Sequence, residues 1–262
     1  MADSYVDYLR NRCAQTNADQ GSIHTATVET RYTRAPFRDR WLLVRRERTG
    51  EKVSICEYTK VTMIKATGGR TYFRIADGHS DYVGETVSLS DDNVDSCLSK
   101  QPPNTLAQTL KVRYGKRSVA LSEPRNNQAL DQQWGTLAIP GVSNAITVTL
   151  NSVWNGSFTP IPVGTHRIMA PDAPHDASYT NFYVDYAKTK GLGDIVADQV
   201  WFPLELAGSR GNSSRYIHIG NLSEGCVTAY ALDRWNDVYS FLISHRLPNE
   251  QGKYVAMIEV AK

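Results

Sequence analysis

Alternation of apolar and polar positions dominates this chain, and it predicts strands far more often than helices. From about Thr25 to Val87 the runs TATVETRYT, RWLLVRRER, KVSICEYTKVTMIKA and TYFRIADG are rich in β-branched and aromatic residues and are bounded by short polar breaks, the texture of strands on a half-buried sheet. Gly68-Gly69 lies between two of these runs and predicts a hairpin, because a tight two-residue turn requires positive φ. The patterning stops over residues 89–108, where SDDNVDSCLSKQPPNTLAQ is polar and contains Pro102-Pro103. That break predicts a boundary, dividing the chain into 1–105 and 106–262. Strand texture resumes near Leu110. LKVRYGKRSVALS predicts a hairpin across Tyr114-Gly115-Lys116, AITVTLNSVW and THRIMA predict single strands, and YVAMIEVA at the end predicts a strand returning to a sheet.

Two segments carry helical spacing instead. Tyr5, Tyr8, Leu9 and Cys13 in residues 2–14 fit one short amphipathic helix, and Leu232, Trp235, Val238, Tyr239, Leu242 and Ile243 in residues 229–245 fit another, with Thr228 as its N-cap. The second stripe reads as core packing. The expected fold class is mainly β, sandwich-like, with a few short helices: a β-rich N-terminal domain followed by a second β-rich domain.

Composition narrows the function classes. The chain has 262 residues, 41% hydrophobic and 21% charged, with a net charge of +2; this excludes a disordered chain and a strongly basic nucleic-acid binder. The longest stretch without Asp, Glu, Lys or Arg runs from Gln132 to His166 and is broken by Asn144, Asn151, Asn155, Pro140, Pro160 and Pro162, so no integral membrane segment is expected. The first twenty residues hold no apolar leader core, giving the expectation that the chain as written starts in a cytoplasm. Four cysteines, Cys13, Cys56, Cys97 and Cys226, form no C-x-x-C pair; neither a metal site nor a cofactor is expected.

Chemistry concentrates in residues 215–228, RYIHIGNLSEGCVT. Tyr216-Ile217-His218-Ile219 reads as the end of a strand, Gly220-Asn221 as a turn, and Ser223-Glu224-Gly225 as a tight approach to Cys226, just ahead of the expected helix. A cysteine at a helix N-terminus with an imidazole eight residues upstream is the arrangement of an activated thiolate nucleophile. Gly225 lets backbone pass close to a bound carbonyl, and amides around Gly225, Cys226 and Val227 are candidate oxyanion donors. Ser223 either orients His218, lines that oxyanion site or serves as a turn residue. Taken singly, Cys226 is a buried structural thiol and His218 a satisfied core histidine; the strand, the glycine and the expected helix together favour chemistry. His166 and His175 flank MAPDAP and are weighed as pocket residues. His245 has a papain-like order relative to Cys226 but is separated from it by a whole helix. His24 and His79 show no partners. Tyr179, Phe182, Tyr183 and Trp201 are candidate substrate walls.

The run H-x-G-N…S-x-G-C-V resembles the signature of the L,D-transpeptidase (YkuD-type) catalytic domain, in which a strand histidine precedes an S-x-G-C turn bearing the nucleophile. Thr159-Pro160-Ile161-Pro162-Val163-Gly164-Thr165-His166-Arg167-Ile168 is similar to that family's strand entry with two residues inserted, and Trp201-Phe202-Pro203-Leu204 is similar to the aromatic strand walling its pocket. The resemblance covers about residues 108–262. Glu224 stands where many members have histidine, Thr228 where arginine or asparagine usually follows, and the His-to-Cys spacing is short, as in divergent branches that include antibacterial effectors.

The resemblance implies that residues 106–262 form an L,D-transpeptidase-like catalytic domain whose Cys226 attacks the L,D bond of a peptidoglycan stem peptide. His218 would serve as base and then acid, Ser223 and Gly225 would complete the catalytic turn, and Trp201, Tyr183, His166, Gly220 and Asn221 would contact substrate. Together with the missing leader core, it implies action in the periplasm or cell wall, reached either through a secretion apparatus as partner or by a leader lost from the chain as written, and, for an antibacterial effector, a cognate immunity protein. Two other classes stay open: a catalytically degenerate binding or adaptor protein for cell wall or secretion partner, and a Cys-His acyltransferase or protease acting on protein.

Overall fold

A computed structural model describes residues 28–262; the helix expected over residues 2–14, with Cys13, and His24 lie outside them. The described chain is mainly β, with 40% strand and 14% helix.

The first unit is a seven-stranded sheet. It contains β1 (Thr30–Thr33), β2 (Trp41–Arg46), β3 (Lys52–Cys56), β4 (Lys60–Thr67), β5 (Arg70–Ile75), β6 (Thr86–Ser90) and β7 (Leu98–Ser99), ordered β3-β2-β6-β5-β4-β1-β7. A four-residue helix, α1 (Val94–Cys97), precedes β7. Alternation along β2 buries Leu42 and Val44 and exposes Leu43; one face therefore joins Ile55, Phe73 and Ile75 in a common core. The expected hairpin at Gly68-Gly69 joins β4 to β5, with Thr67 opposite Arg70.

The second unit is a closed barrel rather than a sandwich. Its strands are β8 (Thr109–Ser122), β9 (Gln128–Ala138), β10 (Ile146–Asn151), β11 (Gly164–Met169), β12 (Phe202–Glu205), β13 (Tyr216–Ile219), β14 (Val227–Ala229) and β15 (Tyr254–Ala261), ordered β10-β14-β13-β12-β11-β15-β8-β9 with β10 also bonded to β9. Closure follows from β8. The turn expected at Tyr114-Gly115-Lys116 is a bulge in one fourteen-residue strand, where the register to β9 shifts between Tyr114 and Arg117. A bulge bends and twists a strand without ending it, so β8 pairs with β15 on one side and β9 on the other. The chain actually reverses at residues 123–127, where Asn126 and Asn127 adopt left-handed φ of 54° and 55°, a conformation asparagine tolerates.

Two helices cover the barrel: α2 (Asn181–Thr189) and α3 (Trp235–Ile243). The apolar positions expected for the C-terminal helix are right, and Trp235, Val238, Tyr239, Leu242 and Ile243 are all buried in the main core. Its start is not. Residues 227–229 are β14, paired with both β10 and β13, and a single 3-10 turn over Leu232–Arg234 leads into α3. Strand pairing on both sides outweighs the local helical pattern there, so Thr228 is not an N-cap. Among the described residues, no helix is long and apolar enough to cross a membrane.

The two units share buried polar contacts. Tyr239 donates to Glu57 at 2.6 Å, Ala35 N–H donates to the same carboxylate at 3.1 Å, and buried Arg246 donates to the Glu57 carbonyl at 2.9 Å. Elsewhere Arg38 lies 3.3 Å from fully buried Asp198 and accepts Ala197 N–H on its carbonyl at 2.8 Å. That contact fixes the segment leading to Trp201.

Candidate active site

His218 and Cys226 come together through strand pairing. β13 and β14 run parallel, with Ile217 opposite Val227 and His218 opposite Thr228. Side chains alternate along a strand, so Ile217, Ile219, Val227 and Ala229 supply the barrel core while Tyr216, His218, Cys226 and Thr228 share the other face. On that face Thr228 is directly across from His218 and Cys226 is the diagonal neighbour, a separation that ring-bearing side chains span.

Among the described residues, no hydrogen bond joins His218 to Cys226. His218 Nδ1 lies 2.9 Å from the Ile219 carbonyl and Nε2 lies 3.1 Å from the Thr228 hydroxyl. A neutral imidazole satisfies both by donating from Nδ1 and accepting at Nε2. Both ring nitrogens are thus engaged, and neither bonds to sulfur. Turning Nε2 toward Cys226 takes release of the Thr228 hydroxyl and a rotation of the ring.

Aromatic rings cover this histidine. Trp201 stacks on it with centroids 4.1 Å apart, and His175 also stacks on Trp201, at 4.0 Å. Tyr216 packs edge-on against both His175 and Trp201. Burial under this stack lowers the His218 pKa from 6.5 to about 4, opposed by the Ile219 carbonyl and assisted by the His175 charge. Burial likewise pushes the Cys226 thiol up to about 11, assisted by the negative charge of Glu224 and opposed by the backbone N–H groups of Tyr216 and Glu224 and by the positive charge of Arg215. Desolvation therefore keeps both partners neutral at rest.

Cys226 does not stand at a helix N-terminus, because β14 follows it; helix-dipole activation of the thiol is absent. Its own N–H is donated to Ser223 Oγ at 3.1 Å, and Ser223 Oγ donates to the Cys226 carbonyl at 3.0 Å. Ser223 consequently pins the turn instead of orienting His218, and the Cys226 amide is not a free oxyanion donor. Gly225 is where the turn demands glycine: φ is +86°, and a Cβ there would lie 2.3 Å from the Thr159 carbonyl oxygen and 2.6 Å from Arg215 Nε.

A buried polar network behind the turn fixes it to the barrel. Ser152 and Ser223 pair reciprocally, Ser152 N–H donating to the Ser223 carbonyl at 2.7 Å and Ser223 N–H to Ser152 Oγ at 3.0 Å. Gln132 accepts from Ser152 Oγ at 2.6 Å and from Thr149, and donates to the Asn221 carbonyl at 2.7 Å. Asn221 also receives Ser122 Oγ at 2.9 Å and donates its N–H to Tyr183 at 2.9 Å.

Several residues expected to contact substrate therefore have other work. Asn221 has its backbone N–H, carbonyl and Oδ1 engaged in this network. Tyr183 is buried beneath the turn, its ring 3.0 Å from where a Cβ on Gly220 would lie, so both support backbone. His166 is locked by the Pro162 carbonyl at 2.8 Å and the Ala207 N–H at 3.0 Å. His245 is bonded to the Phe241 carbonyl at 2.7 Å and His79 to the Ala170 carbonyl at 3.0 Å. Trp201 remains at the site, as does His175. Sequence reading missed Thr228 as the histidine's partner, Arg215 beside the thiol, and Gln132 and Ser152 as the clamp. The last two are polar residues within strand runs, the one signal that marked them.

No family model matches the chain, and no curated protein or solved structure matches it.

Proposed function

We propose that this chain is a cysteine acyltransferase or peptidase of the L,D-transpeptidase type, acting on peptidoglycan stem peptides through residues 106–262. The observation that carries the reading is the parallel pairing of β13 with β14, which sets His218 and Cys226 diagonally on one face. The clamped S-x-G-C turn between them supports it. Substrate entering beside Trp201 would displace the aromatic cover and free His218 Nε2 from Thr228. His218 then takes the thiol proton, the thiolate attacks the carbonyl of the L,D bond, and the C–N bond breaks with His218 returning the proton to the departing amine. The thioester on Cys226 passes to an acceptor amine, a free D-amino acid or water. Such an activity serves an antibacterial effector exported to a rival's periplasm, with an immunity protein protecting the producer.

A catalytically silent binding module is the second reading. It is favoured by the engagement of both His218 nitrogens and by the buried neutral thiol. One experiment separates the two: wild type and Cys226→Ala are incubated with purified disaccharide tetrapeptide, and products are weighed by mass spectrometry. Loss of the terminal residue or formation of dimers by wild type alone supports catalysis. No turnover, or equal turnover by the variant, refutes it.

A further inference from the structure

We propose that Arg215 is the seat for a carboxylate on the substrate, the terminal α-carboxylate one residue beyond the bond that Cys226 attacks. The proposal rests on the functional reading above and names the group that selects its substrate. Arg215 precedes β13, and its backbone is fixed by Leu204 N–H donating to its carbonyl at 2.7 Å. The side chain lies against the catalytic turn, since a Cβ added to Gly225 would fall 2.6 Å from Nε and 2.9 Å from Cζ. Only glycine leaves room for the guanidinium there.

This guanidinium lacks an acidic counterpart. Among the described residues, no carboxylate forms an ion pair with it, and its one hydrogen bond is Nη1 donating to the Ser214 carbonyl at 3.4 Å. Nε is buried and has no hydrogen-bond partner, as is the indole N–H of Trp201. Buried donors are nearly always satisfied in native proteins, so an orphan beside a candidate nucleophile marks where a ligand atom belongs. The charge also reaches Cys226, where it favours the thiolate. An arginine fork matches a planar carboxylate with two parallel N–H donors.

Placement supports the assignment: the guanidinium lies against Gly225, the residue adjoining Cys226. A stem peptide whose reacting carbonyl sits on Cys226 would lay its terminal carboxylate against the guanidinium over Gly225. The site then accepts bonds followed by a single residue with a free carboxylate, and rejects amidated or longer stems.

The test does not depend on turnover. Cys226 is alkylated with bromoacetyl-glycine, which carries a carboxylate one residue beyond its carbonyl, or with bromoacetyl-glycinamide, which does not; rates at this residue are read by peptide mass mapping and normalised to glutathione. Wild type should favour bromoacetyl-glycine over its amide by about tenfold relative to glutathione, the effect of one charge-assisted hydrogen bond. Arg215→Met, which keeps the apolar stem, should abolish the preference, and Arg215→Lys should keep part of it. Because the ratio compares two reagents at one thiol, any change in thiol acidity cancels. Equal rates in wild type and Arg215→Met, or no alkylation of Cys226 by either reagent, would overturn the proposal. A retained preference without peptidoglycan turnover would support the seat and sink only the functional reading. In parallel, wild type should cleave disaccharide tetrapeptide faster than its C-terminal amide, and Arg215→Met should treat them alike.

Discussion

Removing the cover over His218 gives the sharpest physical test of the resting site. The imidazole is neutral because burial lowers its pKa from 6.5 to about 4. In the unfolded chain it takes up a proton near pH 6.5, whereas in the folded protein it does so only near 4. The unfolded state therefore binds more protons across that window, and stability is fully present above pH 6.5 and falls as pH drops toward 4. The loss from this one group is about 2 kcal/mol by pH 5 and about 3 kcal/mol below pH 4. Trp201→Ala removes the ring stacked at 4.1 Å and admits water, raising the His218 pKa toward 6.5 and erasing most of that slope. The variant also loses packing, about 3 kcal/mol at pH 7, so the slope and not the level is diagnostic. Denaturant midpoints between pH 7 and 4.5, with NMR titration of the His218 ring, read both quantities. A wild-type His218 that titrates between pH 6 and 7, or an unchanged slope in Trp201→Ala, would refute the buried, neutral histidine.

Other perturbations probe the supports. Gly225→Ala places a methyl group 2.3 Å from the Thr159 carbonyl at a φ of +86°; the strain costs about 1 to 3 kcal/mol, and an unchanged melting midpoint would count against the packed turn. Gln132→Met keeps volume but leaves the Asn221 carbonyl and the Ser152 hydroxyl without their partner. It should cost about 2 to 3 kcal/mol and speed Cys226 alkylation; equal alkylation rates would show that the clamp does not govern the turn. Tyr239→Phe removes the 2.6 Å bond to buried Glu57 and should lower stability by about 1 to 3 kcal/mol, with wild-type denaturation as the failing outcome.

The parts legible in the sequence were those governed by local pattern. Alternating residues marked β2, β5 and β15, and Gly68-Gly69 marked its hairpin, because pleat and turn chemistry act over a few residues. Barrel closure was not legible: it depends on β8 continuing through a bulge at Tyr114-Gly115, and a glycine between apolar runs looks the same whether the strand bends or reverses. The helix at the C-terminus was found by its apolar spacing, yet its start was misplaced. Thr228 is a good cap residue in isolation, and only pairing with both β10 and β13 makes it a strand residue.

The candidate site divides along the same line. His218 and Cys226 were visible because a strand, a glycine and a short spacing lie together in sequence. Of their surroundings, Trp201 and His175 were singled out as pocket residues, whereas Gln132 and Ser152, which arrive from distant segments, were not. Replacing an expected helix N-terminus by β14 changes the chemistry: the thiol draws help from Arg215 and backbone amides rather than a dipole, and burial outweighs that help at rest.

Intact-protein mass spectrometry after rapid quenching with disaccharide tetrapeptide tests the proposed nucleophile most directly. Wild type should gain the mass of the disaccharide tripeptide acyl group, mapped to the Cys226 peptide and released by hydroxylamine, while Cys226→Ala gains nothing and His218→Gln accumulates it far more slowly. An unmodified wild-type protein, or an adduct mapped to another residue, would contradict Cys226 as the acyl carrier.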